Sequence, residues 1–107
     1  LLLQDERVDP SADDNAAVRW ASENGHIEVV KLLLQDPRVD PSANNNIAVR
    51  LASEYGYTEI VELLLQDPRV DPTADDNYAI RKARSNRHTK IIELLLQDSR
   101  VSSTYRF

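Results

Sequence analysis

The sequence has no cysteine, no methionine and only two glycines among its 107 residues. The absence of cysteine excludes a disulfide framework, a thiolate nucleophile and a zinc site with cysteine ligands. Two glycines are too few for a phosphate-cradling loop, because such loops bring the backbone close to the ligand at several positions. No apolar run approaches the roughly 20 residues of a transmembrane helix, and no signal segment opens the chain. These absences predict a protein with no small-molecule substrate and no membrane association.

The composition is acidic, with 13 basic side chains against 18 acidic ones and a net charge of −5. The hydrophobic content of 41% is enough for a core, and the length corresponds to one domain at most. The chain begins with Leu1 and not with methionine, which predicts that it is part of a longer protein.

The string Leu-Leu-Leu-Gln-Asp occurs four times, starting at residues 1, 32, 63 and 94, always 31 residues apart. A period between about 20 and 50 residues is typical of solenoids and other repeat arrays. Superposing the copies divides the chain into a partial repeat over 1–15, repeats over 16–46 and 47–77, and a terminal repeat over 78–107.

Each repeat has the same internal order. Acidic stretches that contain proline come first, and proline fixes φ and removes an amide donor, so turns are expected there. An apolar pattern then predicts a first helix, with asparagine as a favoured N-cap, and a nearly continuous apolar run predicts a buried second helix. The predicted elements are turns over 5–15, 36–46 and 67–77, N-caps at Asn15, Asn46 and Asn77, first helices over 17–24, 48–55 and 79–86, and second helices over 27–35, 58–66 and 89–97.

The two glycines, Gly25 and Gly56, hold the same repeat position, between the two predicted helices. The simplest reason is a left-handed backbone conformation that closes the first helix, because glycine has no Cβ to clash there. Arg87 holds this position in the terminal repeat. We therefore expect a conformational cost at Arg87 and a less regular last repeat.

Residues 16–34, AAVRWASENGHIEVVKLLL, overlay without a gap the ankyrin unit T-P-L-H-x-A-A-x-x-G-H-x-E-V-V-x-L-L-L. Through this motif the whole chain resembles ankyrin repeats, although its period of 31 residues is shorter than the 33 of the family and Ala-Ala-Val-Arg replaces T-P-L-H. The resemblance implies an all-α, ankyrin-type helix-turn-helix solenoid of about three and a half repeats with short Asp/Pro-rich connecting fingers. It also implies a scaffold for protein–protein interaction and favours an intracellular location.

Arg19, Arg50 and Arg81 stand where the family has a loop-bridging histidine, next to Asp-rich loops. One interpretation makes them inter-repeat structural residues, like Gly25 and Gly56, with each guanidinium pairing to a loop carboxylate or carbonyl. The other interpretation is an exposed ladder of arginines that captures an anionic ligand. The sequence leaves both open.

Three positions spaced by four residues vary among the copies and form one stripe on the first helix, away from its core face. The resemblance implies that this helix lines a concave binding surface, and aromatic residues dominate interface hot spots. We expect a protein partner there, with packing between neighbouring units as the alternative. The candidate partner-binding residues are Ala16, Trp20, Ile47, Leu51, Tyr55, Tyr78 and Lys82.

The histidines and paired aspartates do not form a recognisable chemical site. His26 and His88 share a position that Tyr57 holds in the middle repeat, which indicates a structural role at the inter-helix turn. The aspartate pairs lack the alternating spacing, central glycine and closing glutamate of a calcium loop, and are better interpreted as helix-capping carboxylates. Without a nucleophile, a base and an orienting group, we predict no enzyme, no cofactor and no metal site.

Charge is distributed unevenly along the chain. Residues 1–77 hold six basic and 16 acidic side chains, net −10, whereas residues 78–107 hold seven and two, net +5. The negative overall field disfavours nucleic acid as a partner. Opposite charge at the two ends, together with the half-repeat at the start, favours an alternative function in which copies stack head to tail into filaments or tubes. A protein partner and further copies of the chain thus both stay open.

Overall fold

The fold comes from a computed structural model, and the structure describes residues 9–106 apart from the side chain of Asp14. Most of the partial repeat predicted over 1–15 lies outside these described residues. Between residues 9 and 106 the chain forms helices joined by short turns, with no strand. The helices are α1 (Ala12–Glu23), α2 (Ile27–Leu34), α3 (Ala43–Tyr55), α4 (Thr58–Leu65), α5 (Ala74–Ser85), α6 (Thr89–Leu96) and α7 (Ser99–Ser102).

The helix pairs stack in chain order into an elongated array of 47 × 20 × 19 Å. The first helices α1, α3 and α5 pack closely on one another, whereas the second helices α2, α4 and α6 pack less closely. Ala21, Ala52 and Ala83 are fully buried on the first helices, and small side chains at a contact let neighbouring helices approach. The predicted all-α helix-turn-helix solenoid is therefore confirmed.

One hydrophobic core runs through the described units, and several repeat positions are buried in every one of them. Leu33, Leu64 and Leu95 on the second helices are buried, and burying a leucine side chain contributes about 1.5–3 kcal/mol. An isolated helix of eight residues would be marginal in water, so this repeated burial holds the second helices together. The loop valines that share the core are Val39, Val70 and Val101.

A left-handed turn precedes the right-handed part of each later first helix. Asn44, Asn45 and Asn46 have φ of 57°, 56° and 59°, and Asp75 and Asp76 in the next unit have 58° and 54°. Asn and Asp enter this region more readily than other residues with a side chain, because their short polar groups hydrogen-bond locally. The Asp/Asn triplets of the sequence are therefore explained by backbone conformation.

The N-cap role predicted for the asparagines is wrong, because their side chains bond elsewhere. Asn15 Oδ1 accepts the backbone N–H of Asp40 at 2.8 Å, and Asn46 Oδ1 accepts that of Asp71 at 2.8 Å. Each bond reaches the loop of the following unit. These side chains therefore join consecutive units and do not cap their own helices.

The left-handed conformation expected after the first helix is present at Gly25 and Gly56, with φ of 77° and 85°. Arg87 adopts it as well, with φ of 59°. The next amide bonds back to the first helix, as in the 2.9 Å bond from Tyr57 N–H to the Ala52 carbonyl. Contrary to expectation, α5 and α6 keep their regular lengths of 12 and eight residues. The last unit departs from the others only after α6, where α7 replaces the turn of the earlier loops.

Candidate binding surface

The structure divides the seven candidate partner-binding residues into two groups. Trp20 and Tyr55 are 54% and 47% exposed, and Ala16 is exposed beside them. In the described part of the chain, Trp20 and Tyr55 are the large apolar side chains that the first helices leave open to solvent. The half-buried members are Ile47, Leu51, Tyr78 and Lys82.

Trp20 is oriented by contacts within its own unit. Its ring stacks on the His26 imidazole, with ring centroids 4.7 Å apart and an interplanar angle of 27°. Asn24 Nδ2 donates to the Trp20 carbonyl oxygen at 2.9 Å. The indole is thus supported on one side by the inter-helix turn while more than half of it stays exposed.

Tyr78 is the first residue of the third unit (residues 78–107), and it contacts the second unit (residues 47–77). Its hydroxyl donates a short hydrogen bond to the Glu54 carboxylate, and its ring has Arg50 Cζ at 5.2 Å, Lys82 Nζ at 5.5 Å and Arg81 Cζ at 5.8 Å. The bond to Glu54 raises the pKa of the Tyr78 phenol because it favours the protonated form, and burial raises it further. The ring and the hydroxyl are thus already used in contacts between units.

The equal spacing of the three arginines gives them the same position within the first helices α1, α3 and α5. Arg50 Nε donates to the Asn45 carbonyl at 3.0 Å, and Arg81 makes the equivalent bond at 2.9 Å. These bonds satisfy carbonyls of the left-handed turn and are local in sequence. The Arg50 guanidinium also lies 3.5 Å from the Asp75 carboxylate in the next loop. Arg19 is exposed.

The glycines are sites where the next unit packs a ring against the backbone. A Cβ on Gly25 would lie 2.7 Å from a Tyr57 ring carbon, and one on Gly56 would lie 2.7 Å from a His88 ring carbon. His88 Nε2 also lies 3.0 Å from the Glu54 carbonyl oxygen, within hydrogen-bond distance. Close approach of a ring therefore adds to the left-handed φ as a reason for glycine at these two positions.

Sequence analysis missed a second set of bonds between units, made by the loop arginines. Arg69 forms a two-bond fork with Asp67 and also donates to the Val39 carbonyl at 3.1 Å. Arg100 likewise donates to the Val70 carbonyl at 3.2 Å. The fork lowers the pKa of the Asp67 carboxyl, chiefly through the side-chain hydrogen bond from Arg69. The recurring Asp-x-Arg-Val spacing was the available signal for these bonds.

The helices and the acidic side chains of residues 9–106 bear on the kind of site that this part of the chain can form. None of the helices there has the length and apolar character needed to cross a bilayer. Over the same residues, no group of three histidine, aspartate or glutamate side chains lies close enough together to hold a metal ion.

The family model described as ankyrin repeats (3 copies) matches residues 1–76. Among curated proteins, no relative matches the sequence. Ankyrin repeats generally mediate protein–protein interaction, and members of the family are typically non-catalytic scaffolds. Because the match covers more than half of the chain and the helix-turn-helix units agree with it, the chain belongs to the ankyrin repeat family.

Proposed function

We propose that the chain is a non-catalytic scaffold that holds a protein partner on its first-helix face, the exposed side of α1, α3 and α5. The observation that supports this is the exposure of Trp20 and Tyr55. Leaving large apolar rings in water is unfavourable, and Trp and Tyr are enriched among the residues that contribute most to protein interfaces. A partner that covers both rings would remove this cost.

The arrangement of these residues supports one continuous contact. Trp20 lies on α1 and Tyr55 on α3, two helices that pack directly on each other. Ala16 and Leu51 stand four residues before them, one helical turn away on the same stripe. The closer packing of the first helices also supports a surface that curves toward this face. The His26 stack orients Trp20 before binding, which lowers the entropy lost on association.

Photo-crosslinking tests which face is used. A photoreactive phenylalanine analogue is placed at Trp20, at Tyr55 or at Leu32, and covalent adducts are identified by mass spectrometry. Leu32 is a matched control because it is 47% exposed but lies on the second helix α2. We expect adducts with the same protein from the first two positions and not from Leu32.

The partner recovered in this way is then purified and its affinity measured by calorimetry. Trp20→Ala and Tyr55→Ala should each weaken binding about tenfold or more, as expected for anchor residues, whereas Leu32→Ala should leave it unchanged. Adducts from Leu32 alone, or unchanged affinity for Trp20→Ala, would contradict the proposal.

Head-to-tail self-assembly is a second candidate, favoured by the contrast of −10 over residues 1–77 and +5 over 78–107. Opposite charges on two ends favour heterologous contact, which builds filaments when it does not close. The close ring packing at Gly56 argues against stacking in the internal register, since Arg87 has a Cβ at that position. Light scattering at low and high salt separates the candidates, and a monomer at every concentration would exclude assembly.

A further inference from the structure

The last unit carries a surface whose counterparts are covered in the earlier units. In the second unit, Arg50 contacts the Tyr78 ring, Ser53 is fully buried, and the Glu54 carboxylate accepts the Tyr78 hydroxyl. The His88 ring of the third unit lies against Gly56. These four positions therefore face the unit that follows them.

The same four positions in the third unit are Arg81, Arg84, Ser85 and Arg87, and all four are exposed. Three of them are arginines, and serine replaces the glutamate of the earlier copies. We call these four residues, together with Tyr105, the end surface. Lys90, where the earlier units have Glu28 and Glu59, extends the positive charge onto α6.

Part of the end surface forms a shallow groove with a volume of ≈ 470 Å³. The groove is lined by Arg81, Arg84, Ser85 and Tyr105, and Arg84 Nη1 donates to the Tyr105 hydroxyl at 3.3 Å. Tyr105 packs against the hydrophobic core, so the groove has a fixed wall. Guanidinium and hydroxyl groups arranged in this way are donors that suit carboxylate oxygens.

A unit face that no other unit covers is expected to be polar, but polarity does not require a uniform sign of charge. No aspartate or glutamate occurs from Tyr78 to Ile92. Arg87 also holds a left-handed φ of 59°, which costs free energy that glycine would avoid. Backbone strain at an exposed residue points to a role for its side chain. The positive charge is therefore the feature that needs a functional explanation.

We propose that the end surface binds an acidic segment of a protein partner, through the guanidinium groups of Arg84 and Arg87. A short segment fits because the positive charge covers one unit, whereas an extended polyanion such as nucleic acid would also meet the net charge of −10 on residues 1–77. This site is distinct from the Trp20 and Tyr55 contact of the proposed function and does not depend on it.

Fluorescence anisotropy with a labelled decapeptide of glutamate and glycine tests the proposal. A glutamine version of the peptide controls for charge, and labelled single-stranded oligothymidine tests nucleic acid. We expect saturable binding of the glutamate peptide that weakens as salt is raised, with no binding of the glutamine peptide. Equal binding of the two peptides, or preferential binding of the oligonucleotide, would overturn the proposal.

Substitutions that restore the internal residues locate the site. The double variant Arg84→Ser and Arg87→Gly should weaken peptide binding about tenfold or more while the fold is kept, because both new residues already occur at these positions in earlier units. Arg84→Lys with Arg87→Lys keeps the charge and should retain most of the affinity. Lys31→Gln on α2 is the control and should leave binding unchanged.

The two remaining outcomes are also decisive. Equal affinity of the double variant and the original protein would place the peptide elsewhere and overturn the proposal. Concentration-dependent oligomers that the double variant abolishes would identify the occupant as another copy of the chain, which would overturn it as well.

Discussion

The second and third units contain the same two helices, with the same core positions, yet they meet different surroundings. Gly56 in the second unit has the His88 ring against its backbone, and Ser53 is fully buried. The equivalent residues of the third unit, Arg87 and Arg84, are both exposed. The core positions that the two units share therefore stay buried in both, whereas the residues that face the next unit do not.

The same contrast holds for the asparagines before the first helices. Asn46 Oδ1 accepts the Asp71 amide, whereas Asn77 Oδ1 is buried without a hydrogen-bond partner. The difference follows from the last loop, because Ser102 replaces Asp71 in sequence and its N–H bonds to Asp98 within the turn of α7. The Asp71 amide therefore bonds to the preceding unit, whereas the equivalent Ser102 amide bonds within its own turn.

Of the substitutions at equivalent positions in the two units, we expect the one at Gly56 to lower the unfolding free energy most. Gly56→Ala places a Cβ at a φ of 85° and 2.7 Å from the His88 ring, so we expect a loss of about 2–4 kcal/mol in unfolding free energy. Arg87→Ala is the matched control, because Arg87 already places a Cβ at a left-handed φ and this variant leaves the packing of the His88 ring on Gly56 unchanged. Urea unfolding followed by circular dichroism measures both. Equal effects of the two variants would show that ring packing does not distinguish the units.

The asparagines give the next largest difference. Asn46→Ala leaves the Asp71 amide without its acceptor, and since this donor is partly buried we expect a loss of about 1 kcal/mol, the lower end of the cost of an unsatisfied buried donor. Asn77→Ala introduces the same left-handed alanine but removes only the bond from Nδ2 to the Thr104 hydroxyl. We expect Asn46→Ala to be the more destabilising of the two in the same urea experiment. The reverse order would mean that the amide bond contributes little.

The sequence pattern, a 31-residue period whose units resemble ankyrin repeats, predicted the fold because several buried positions recur in every described unit. It could not predict the left-handed turns, since an Asp or Asn before a helix usually signals a cap. The contact of Asn46 with Asp71 joins residues 25 positions apart, and nothing local in sequence marks it. The recurrence of asparagine in every copy was visible, but its partner depends on how the units stack.

The stripe of candidate residues did not predict which of them are exposed. Residues four apart on one stripe include both Trp20, which is exposed, and Tyr78, which is half-buried against the second unit. The difference comes from the neighbours, because Glu54 and Arg50 reach Tyr78 from the preceding unit. A single-helix pattern contains no information about such contacts.

An effect of opposite sign is expected when the third unit is made to resemble the second. Arg87→Gly relieves a left-handed arginine, which should stabilise the protein by about 1 kcal/mol. Thermal unfolding monitored by circular dichroism should show a higher midpoint than for the original chain. If the end surface binds an acidic segment, this variant combines higher stability with weaker binding. Lower stability would instead show that the Arg87 side chain contributes to the fold.

The smallest effects concern the feature that the two units share, the Asp–Arg forks. The hydrogen bonds from Arg69 and Arg100 hold the pKa of the Asp67 and Asp98 carboxyls below the usual value for aspartate, about 3.9. Each fork therefore contributes its full stabilisation above that unfolded-state pKa. That contribution is lost as the pH falls through the lower, folded pKa.

Since the arginines are nearly half exposed, Asp67→Asn and Asp98→Asn should each cost less than about 1 kcal/mol at neutral pH. Urea unfolding from pH 7 down to pH 2 should show both variants converging on the original protein. A cost for one variant that persists in acid would mean that its aspartate acts through the turn and not through its charge.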